Sequence, residues 1–324
     1  MSAPADQQTV GGRTADSGRT GVLMGLGAYS LWGVFPLYFL LMEPSPALEV
    51  LLHRVLWSVL VCGVLLTVMR SWRGIRVVLR SRRSMLLLTA AAVLIAVNWF
   101  VYILGVTSGQ VVQTALGYYV NPLVTVLLGV VVLRERLRRL QWVAVGVGTV
   151  AVGVLAVAYG GVPWIALTLA VSFGLYGLMK NRLGGSVGAV HSLSVETAVL
   201  TLPAVVALVW LHSGGQATFG SEGPVHALLL ASTGIATAVP LLLFAAAASR
   251  IPLSTVGLLQ YVTPTLQLLA GVVVLHEPMP TARWIGFGLV WTALAVLTVD
   301  TLRSAGRARV TETSPAGHAV VDCR

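Results

Sequence analysis

Ten apolar runs follow one another along this chain with only short polar segments between them, at about 22–42, 48–69, 84–104, 111–133, 141–159, 163–180, 189–211, 226–247, 254–275 and 284–301. Apolar runs of roughly 20 residues predict helices that cross a bilayer. The Val-rich stretches lack the period-2 alternation of strands, and the alternating ~10-residue segments of a membrane barrel are absent.

The second half repeats the first at a fixed offset. Tyr119-Val120-Asn121-Pro122 returns as Tyr261-Val262-Thr263-Pro264, and Gly129-Val130-Val131-Val132-Leu133 as Gly271-Val272-Val273-Val274-Leu275. At the same spacing Glu135 pairs with Glu277, Trp142 with Trp284 and Gly146 with Gly288. Each unit holds five apolar runs, an odd number, so the second copy is expected upside down in the membrane. Two inverted copies of one helical bundle are a signature of alternating-access transporters.

Composition agrees with a membrane protein: 56% of the residues are hydrophobic, 10% are charged and the mean hydropathy is +0.87. The net charge of +10 could suggest nucleic acid, but of the 21 Lys and Arg nearly all sit between apolar runs or in the tails, where an orientation signal belongs. Arg70, Arg73, Arg76, Arg80, Arg82 and Arg83 share one loop; Arg134, Arg136, Arg138 and Arg139 share another; Lys180, Arg182 and Arg250 follow the sixth and eighth runs. All are cytoplasmic if both termini are inside, and the opposite side keeps only Arg283. No basic stripe is interleaved with exposed aromatics, so no nucleic-acid partner is expected. The polar first 21 residues and the segment from 302 on are expected to be loose cytoplasmic tails. The run from Val22 to Met42 is too long for the apolar core of a signal peptide and is read as a retained helix.

Chemistry is sparse. Cys62 lies in an apolar run and Cys323 in the tail, the six His are scattered, and no P-loop, metal cluster or Ser/His/Asp set appears. Neither an enzyme, a cofactor nor a metal is expected. What remains is polar groups inside the runs. Gln113, Gly117, Asn121 and Thr125 recur at i+4 and share a helix face. Their repeat mates are Thr255, Leu259, Thr263 and Gln267. Pro122 and Pro264 beside these stripes each remove a backbone donor and are candidate kinks. The two stripes are expected to line a central cavity, the competing reading being hydrogen-bonded helix seams. Arg54 is read as the one Arg inside a run, and its repeat mate Glu196 as the one acid. A charge there costs ~3 kcal/mol or more unless paired or hydrated. Arg54 is a candidate for substrate recognition and Glu196 for proton coupling, structural locking being the alternative. Asn98, Tyr102, Tyr118 and Gln260 add polar and aromatic surface at similar depth, Trp99 and Tyr119 lie beside them, and Trp32, Ser172, Tyr176 and Lys180 could close the cavity. Gly21-x-x-x-Gly25 and the pairs Gly146/Gly148 and Gly286/Gly288 suit close helix packing.

The chain resembles the EamA-type permeases of the drug/metabolite transporter superfamily, and within them the RarD subfamily. The resemblance rests on Gly27-Ala28-Tyr29-Ser30-Leu31-Trp32-Gly33, His53-Arg54-Val55-Leu56-Trp57-Ser58, Asn98-Trp99, Ala115-Leu116-Gly117-Tyr118-Tyr119-Val120-Asn121-Pro122-Leu123 with Glu135, and Leu259-Gln260-Tyr261-Val262-Thr263-Pro264-Thr265 with His276-Glu277. It implies an all-α integral membrane protein of ten transmembrane helices in two inverted five-helix repeats, 22–159 and 163–301, around a central cavity. It also implies a permease of the bacterial cytoplasmic membrane that exports small metabolites or drug-like compounds. The partners expected are a small-molecule substrate and the lipid bilayer, with protons and a second copy of the chain left open. A non-transporting membrane sensor or assembly partner, and an uncoupled facilitator, are the rival readings.

Overall fold

The computed structural model describes residues 7–134, 136–184 and 187–313; at 7–17, 133, 253, 254 and 304–313 it describes the backbone alone. Glu135 and the outer ends of both tails lie outside the described residues. The described chain is helical throughout: α1 (Gln7–Gly33), α2 (Phe35–Leu40), α3 (Ala47–Val68), α4 (Trp72–Arg80), α5 (Arg82–Thr107), α6 (Val111–Leu133), α7 (Arg139–Tyr159), α8 (Trp164–Leu183), α9 (Ala189–Ser213), α10 (Pro224–Ala248), α11 (Leu253–Leu259), α12 (Val262–Leu269) and α13 (Thr281–Thr313), with a π-helical turn at Ala270–Val274. Among the described residues, eight stretches are long and apolar enough to cross a membrane: Ala47–Val68, Arg82–Thr107, Val111–Val132, Arg139–Tyr159, Ala189–Ser213, Pro224–Ala248, Thr255–Val274 and Thr281–Arg303.

The first and sixth apolar runs are not among these eight. The first run is interrupted, because Pro36 at the second position of α2 cannot donate a helical hydrogen bond and the helix breaks at Val34. The sixth, α8, is continuous but ends in Lys180-Asn181-Arg182. Helix also reaches beyond the boundaries drawn at 21 and 302, since α1 begins at Gln7 and α13 ends at Thr313. The ninth run is split at Gln260–Tyr261, just before Pro264. Its mate α6 continues through Pro122 as one helix. The two prolines therefore act differently, and a kink is marked by a helix break only at Pro264.

The repeats interlock. Helix α1 of the first packs on α10, α11 and α12 of the second, and α8 of the second packs on α5 and α6 of the first. Helices α3 and α9 meet, as do α6 and α12, and α7 lies along α13. Exchanging the two repeats leaves these principal contacts unchanged, as a pseudo-twofold axis requires. The relation extends to backbone detail: Arg134 and His276, which are repeat mates, both adopt the left-handed conformation, with φ of 58° and 54°.

Close packing between these helices rests on small residues, because lipid leaves little hydrophobic drive for helices to associate. A Cβ at Gly234 would overlap the Trp57 carbonyl of α3, and one at Gly286 would overlap Leu155 of α7. Gly148 is crowded in the same way by Leu123, Gly25 by Leu259 and Gly21 by Ile251. Gly146 and Gly288 face open space, so only one member of each expected glycine pair is at a seam.

Candidate functional site

The break after Gly33 positions the centre of the bundle. It turns α2 so that Phe35 and Phe39 pack toward α3, where Arg54 is 5% exposed. The Arg54 guanidinium carbon lies 3.9 Å from the centre of the Trp99 ring and 5.6 Å from the centres of Phe35 and Phe39. Its Nε donates to Thr237 Oγ1 at 2.9 Å, and Thr237 in turn donates to the Thr233 carbonyl. Among the described residues no carboxylate lies within 4.0 Å of Arg54. A buried cation is thus held by aromatic faces and one hydroxyl.

A polar chain runs beside it. Asn98 of α5 donates to the Leu169 carbonyl at 3.1 Å and to Ser172 Oγ at 3.0 Å, and accepts from the Tyr118 hydroxyl at 3.2 Å. Tyr118 meets Tyr102 edge-on, and Tyr102 meets Phe39 in the same way. Gln267 Nε2 donates to the Tyr102 hydroxyl at 3.1 Å and to the Trp32 carbonyl at 3.2 Å. Arg54, Asn98, Tyr102, Tyr118 and Gln267 therefore form one centre, built by both repeats. Its other walls, Phe35, Phe39, Tyr38 and Thr237, were missed at the sequence level. Pro36 inside an apolar run was the one signal pointing to them.

The remaining candidates lie elsewhere. The stripe Gln113–Gly117–Asn121–Thr125 does not face the span-nine stripe. Gly117 is pressed on Ala166 and Leu169 of α8, and Asn121 Oδ1 lies beside Gly174 of α8. Gln113 donates to Gln110 Oε1, and Thr125 is exposed and bonds back to the Asn121 carbonyl. Across the pseudo-twofold, Thr263 donates to the Tyr29 carbonyl of α1 at 2.8 Å. Each stripe thus seats the first helix of the opposite repeat, while α6 and α12 meet through Tyr119 and Thr265, bonded at 2.7 Å. The expectation of two stripes facing across a cavity is corrected: the polar groups were read on the right face, but that face meets a helix. Gln260 sits at the break between α11 and α12.

Glu196 does not approach Arg54. Its Oε1 lies 2.9 Å from Lys180 Nζ and accepts from Ser192 Oγ at 2.6 Å, while Tyr176 donates to Oε2 at 3.3 Å. Lys180 also donates to Ser192 Oγ. Nor is Glu196 the one buried acid, for Glu49 and Asp300 are buried too. Glu49, fully buried, accepts the backbone N–H groups of Thr218 and Phe219 and the Thr218 hydroxyl. Its repeat mate His191 bonds Ser71 Oγ at 2.8 Å. On the face away from the arginine-rich loops, Glu277 accepts from the Val111 and Val112 amides, the first two of α6. Burial pushes the Glu277 carboxyl above the ordinary carboxylate range, and the two amides and nearby Arg283 recover only part of that shift. Arg283 itself stacks 4.0 Å over the Tyr159 ring.

Comparison with known proteins converges on one family. The EamA-like transporter family matches the chain twice, over residues 19–157 and 161–299, two segments set apart by the same spacing as the internal repeat. The chain is 53% identical over 291 residues to Protein RarD of Streptomyces exfoliatus, covering 90% of this chain and 92% of that protein. It is 42% identical over 288 residues to the uncharacterized transporter YojE of Bacillus subtilis (strain 168), covering 88% and 95%. A solved crystal structure at 18% identity shares the fold, with a TM-score of 0.58 over 87% of this chain and 98% of its own.

Proposed function

The chain belongs to the EamA-like transporter family, in its RarD branch, and from that membership we propose that it is a ten-span secondary carrier with its second repeat inverted, moving a small polar metabolite or drug-like compound out across the bacterial cytoplasmic membrane by alternating access. The observation that carries the reading furthest is Arg54, a buried cation between the repeats with ring faces and Thr237 for company and no carboxylate within 4.0 Å among the described residues. A charge held so deep is costly unless a partner arrives, and a substrate bearing an anionic or strongly polar group would be that partner. Asn98, Tyr102, Tyr118 and Gln267 supply the surrounding donors and acceptors.

Two polar layers flank this centre. Toward the arginine-rich face, assigned to the cytoplasm by the positive-inside rule, lie the Lys180–Glu196 pair and the Arg138–Asp300 pair at 3.0 Å. Toward the other face lie Glu49 on the 218–219 loop and Glu277 on α6. Alternating access would loosen one layer at a time, with the glycine seams between helices as sliding surfaces. Thermal stabilisation of the purified protein by a metabolite and antibiotic library tests the reading, since a ligand that binds the folded state raises the melting temperature. A hit lost in Arg54→Gln supports it; a hit unchanged in that variant moves the site elsewhere, and no hit together with no flux in proteoliposomes sinks the carrier reading.

The bonding of Glu196 favours a second reading on one point. Its carboxylate is already satisfied by Lys180, Ser192 and Tyr176, which suits a lock in an uncoupled facilitator better than a proton-coupling site. Flux into vesicles with and without an imposed pH gradient separates the two.

A further inference from the structure

A cavity of about 330 Å³ opens on the flank of the bundle, and Arg54 is not among its lining residues. Val59, Gly63 and Leu66 of α3 form its floor, Trp72 and Leu79 of α4 one wall and Val199 of α9 the other. The walls are apolar, and Trp72 and Leu79 are each about half exposed, at 47% and 53%. Gly63 is the reason the floor is low: a Cβ there would meet nothing within 4 Å, so this glycine serves no helix contact and leaves a furrow along α3. From Val59 to the end of α3 at Val68, nine residues at 1.5 Å each carry the furrow about 13 Å inward from the arginine-rich face.

The mouth is basic. On α4 the positions 73, 76 and 80 follow i, i+3, i+7 spacing, so Arg73, Arg76 and Arg80 share a face adjoining that of Ile75 and Leu79. All three are exposed, as are Arg70, Arg82 and Arg83 beside them, and none has a carboxylate within 4.0 Å among the described residues. An apolar furrow beside α3, adjoining an α4 face that carries arginines at a membrane boundary, matches one class of molecule in both its parts.

We propose that this flank is a binding site for an anionic phospholipid, one acyl chain lying in the α3–α4–α9 furrow and the phosphate held by Arg73, Arg76 and Arg80. The arginines alone would attract any anionic surface, and the furrow alone would take any chain; together they select a lipid that is anionic. Filling the furrow must therefore weaken phosphatidylglycerol binding even with every arginine in place.

The full-length protein, purified in neutral detergent and stripped of lipid, is titrated with dioleoyl phosphatidylglycerol and separately with dioleoyl phosphatidylcholine while the melting temperature is followed. Phosphatidylglycerol is expected to stabilise the wild type well beyond phosphatidylcholine, and glycerol 3-phosphate to do nothing. Replacing Arg73, Arg76 and Arg80 by Gln should weaken phosphatidylglycerol on the order of a hundredfold at low ionic strength. Gly63→Leu, which fills the furrow and improves helix propensity, should weaken phosphatidylglycerol on the order of tenfold without lowering the melting temperature of the lipid-free protein. Equal response of the wild type to both lipids overturns the proposal, and so does phosphatidylglycerol binding undiminished in Gly63→Leu. Native mass spectrometry of the wild type alone gives an independent reading: one phosphatidylglycerol retained under activation that strips phosphatidylcholine supports the site, and none retained overturns it.

Discussion

The Arg54 guanidinium carbon lies 3.9 Å from the centre of the Trp99 ring, much nearer than the 5.6 Å to either Phe35 or Phe39. That contact compensates a buried charge that has no carboxylate partner among the described residues. Removing the ring and removing the charge should then have opposite consequences. Trp99→Leu strands the cation and is expected to lower unfolding stability by about 2 kcal/mol. Arg54→Met takes the charge away and should leave stability unchanged or higher, yet abolish ligand stabilisation and flux. Thermal melts and proteoliposome uptake on both variants check this. A fall in stability for Arg54→Met matching that of Trp99→Leu, with flux retained, would make Arg54 a structural element.

The Lys180–Glu196 pair invites a double-mutant cycle. Glu196 is 2% exposed but Lys180 is 30% exposed, so water moderates the cost of losing one partner. Lys180→Met is expected to cost about 2–3 kcal/mol, less than the loss of a partner from a fully dry pair. Adding Glu196→Gln should restore most of it, because the stranded carboxylate is then gone. Purely additive losses would show that the two side chains do not depend on each other.

Glycines separate into two groups that substitution should tell apart. Gly234→Ala forces a methyl into the Trp57 carbonyl, and backbone yields poorly, so a loss of about 1–3 kcal/mol is expected. Gly146→Ala and Gly288→Ala place the same methyl in open space within helices α7 and α13. These should gain up to about 1 kcal/mol from helix propensity. Urea or heat unfolding in detergent distinguishes the signs, and a destabilised Gly146→Ala would contradict the geometry.

Much of this architecture is legible in one sequence for physical reasons. Apolar runs long enough to cross a bilayer admit few other interpretations, and the internal repeat survives because equivalent helices keep equivalent neighbours. The i+4 spacing of Gln113, Gly117 and Asn121 correctly places them on one face. Spacing carries no information on what that face meets, and here it meets α8. The break at Val34 hid inside an unbroken apolar run, with Pro36 as its only mark, and so Phe35 and Phe39 were not read as partners of Arg54. Thr237 resembles any helix-satisfied hydroxyl until its contact 183 residues away is seen. The capping of α6 by Glu277, across 166 residues, is hidden for the same reason.

That cap leads to a pH dependence whose sign is worked out from Glu277 itself. The carboxyl lies in the loop between the π-helical turn and α13, outside the membrane-crossing stretches. Burial raises its pKa above the ordinary 4.5, and this outweighs the Val112 and Val111 amides and Arg283, which all act the other way. The folded state therefore holds the proton more tightly than the unfolded chain does. Its contribution is fully present below the unfolded pKa and is lost as pH rises through the folded one. Wild type should accordingly lose melting temperature relative to Glu277→Gln as pH is raised from about 4 through the raised value, and the difference should level off above it. Gln accepts one amide where the carboxylate accepts two, which sets the baseline between the proteins but not the slope. Melting curves of both proteins at matched ionic strength across this range give the answer. A wild type that gains on Glu277→Gln as pH rises would mean that the α6 amides, and not burial, govern this carboxylate.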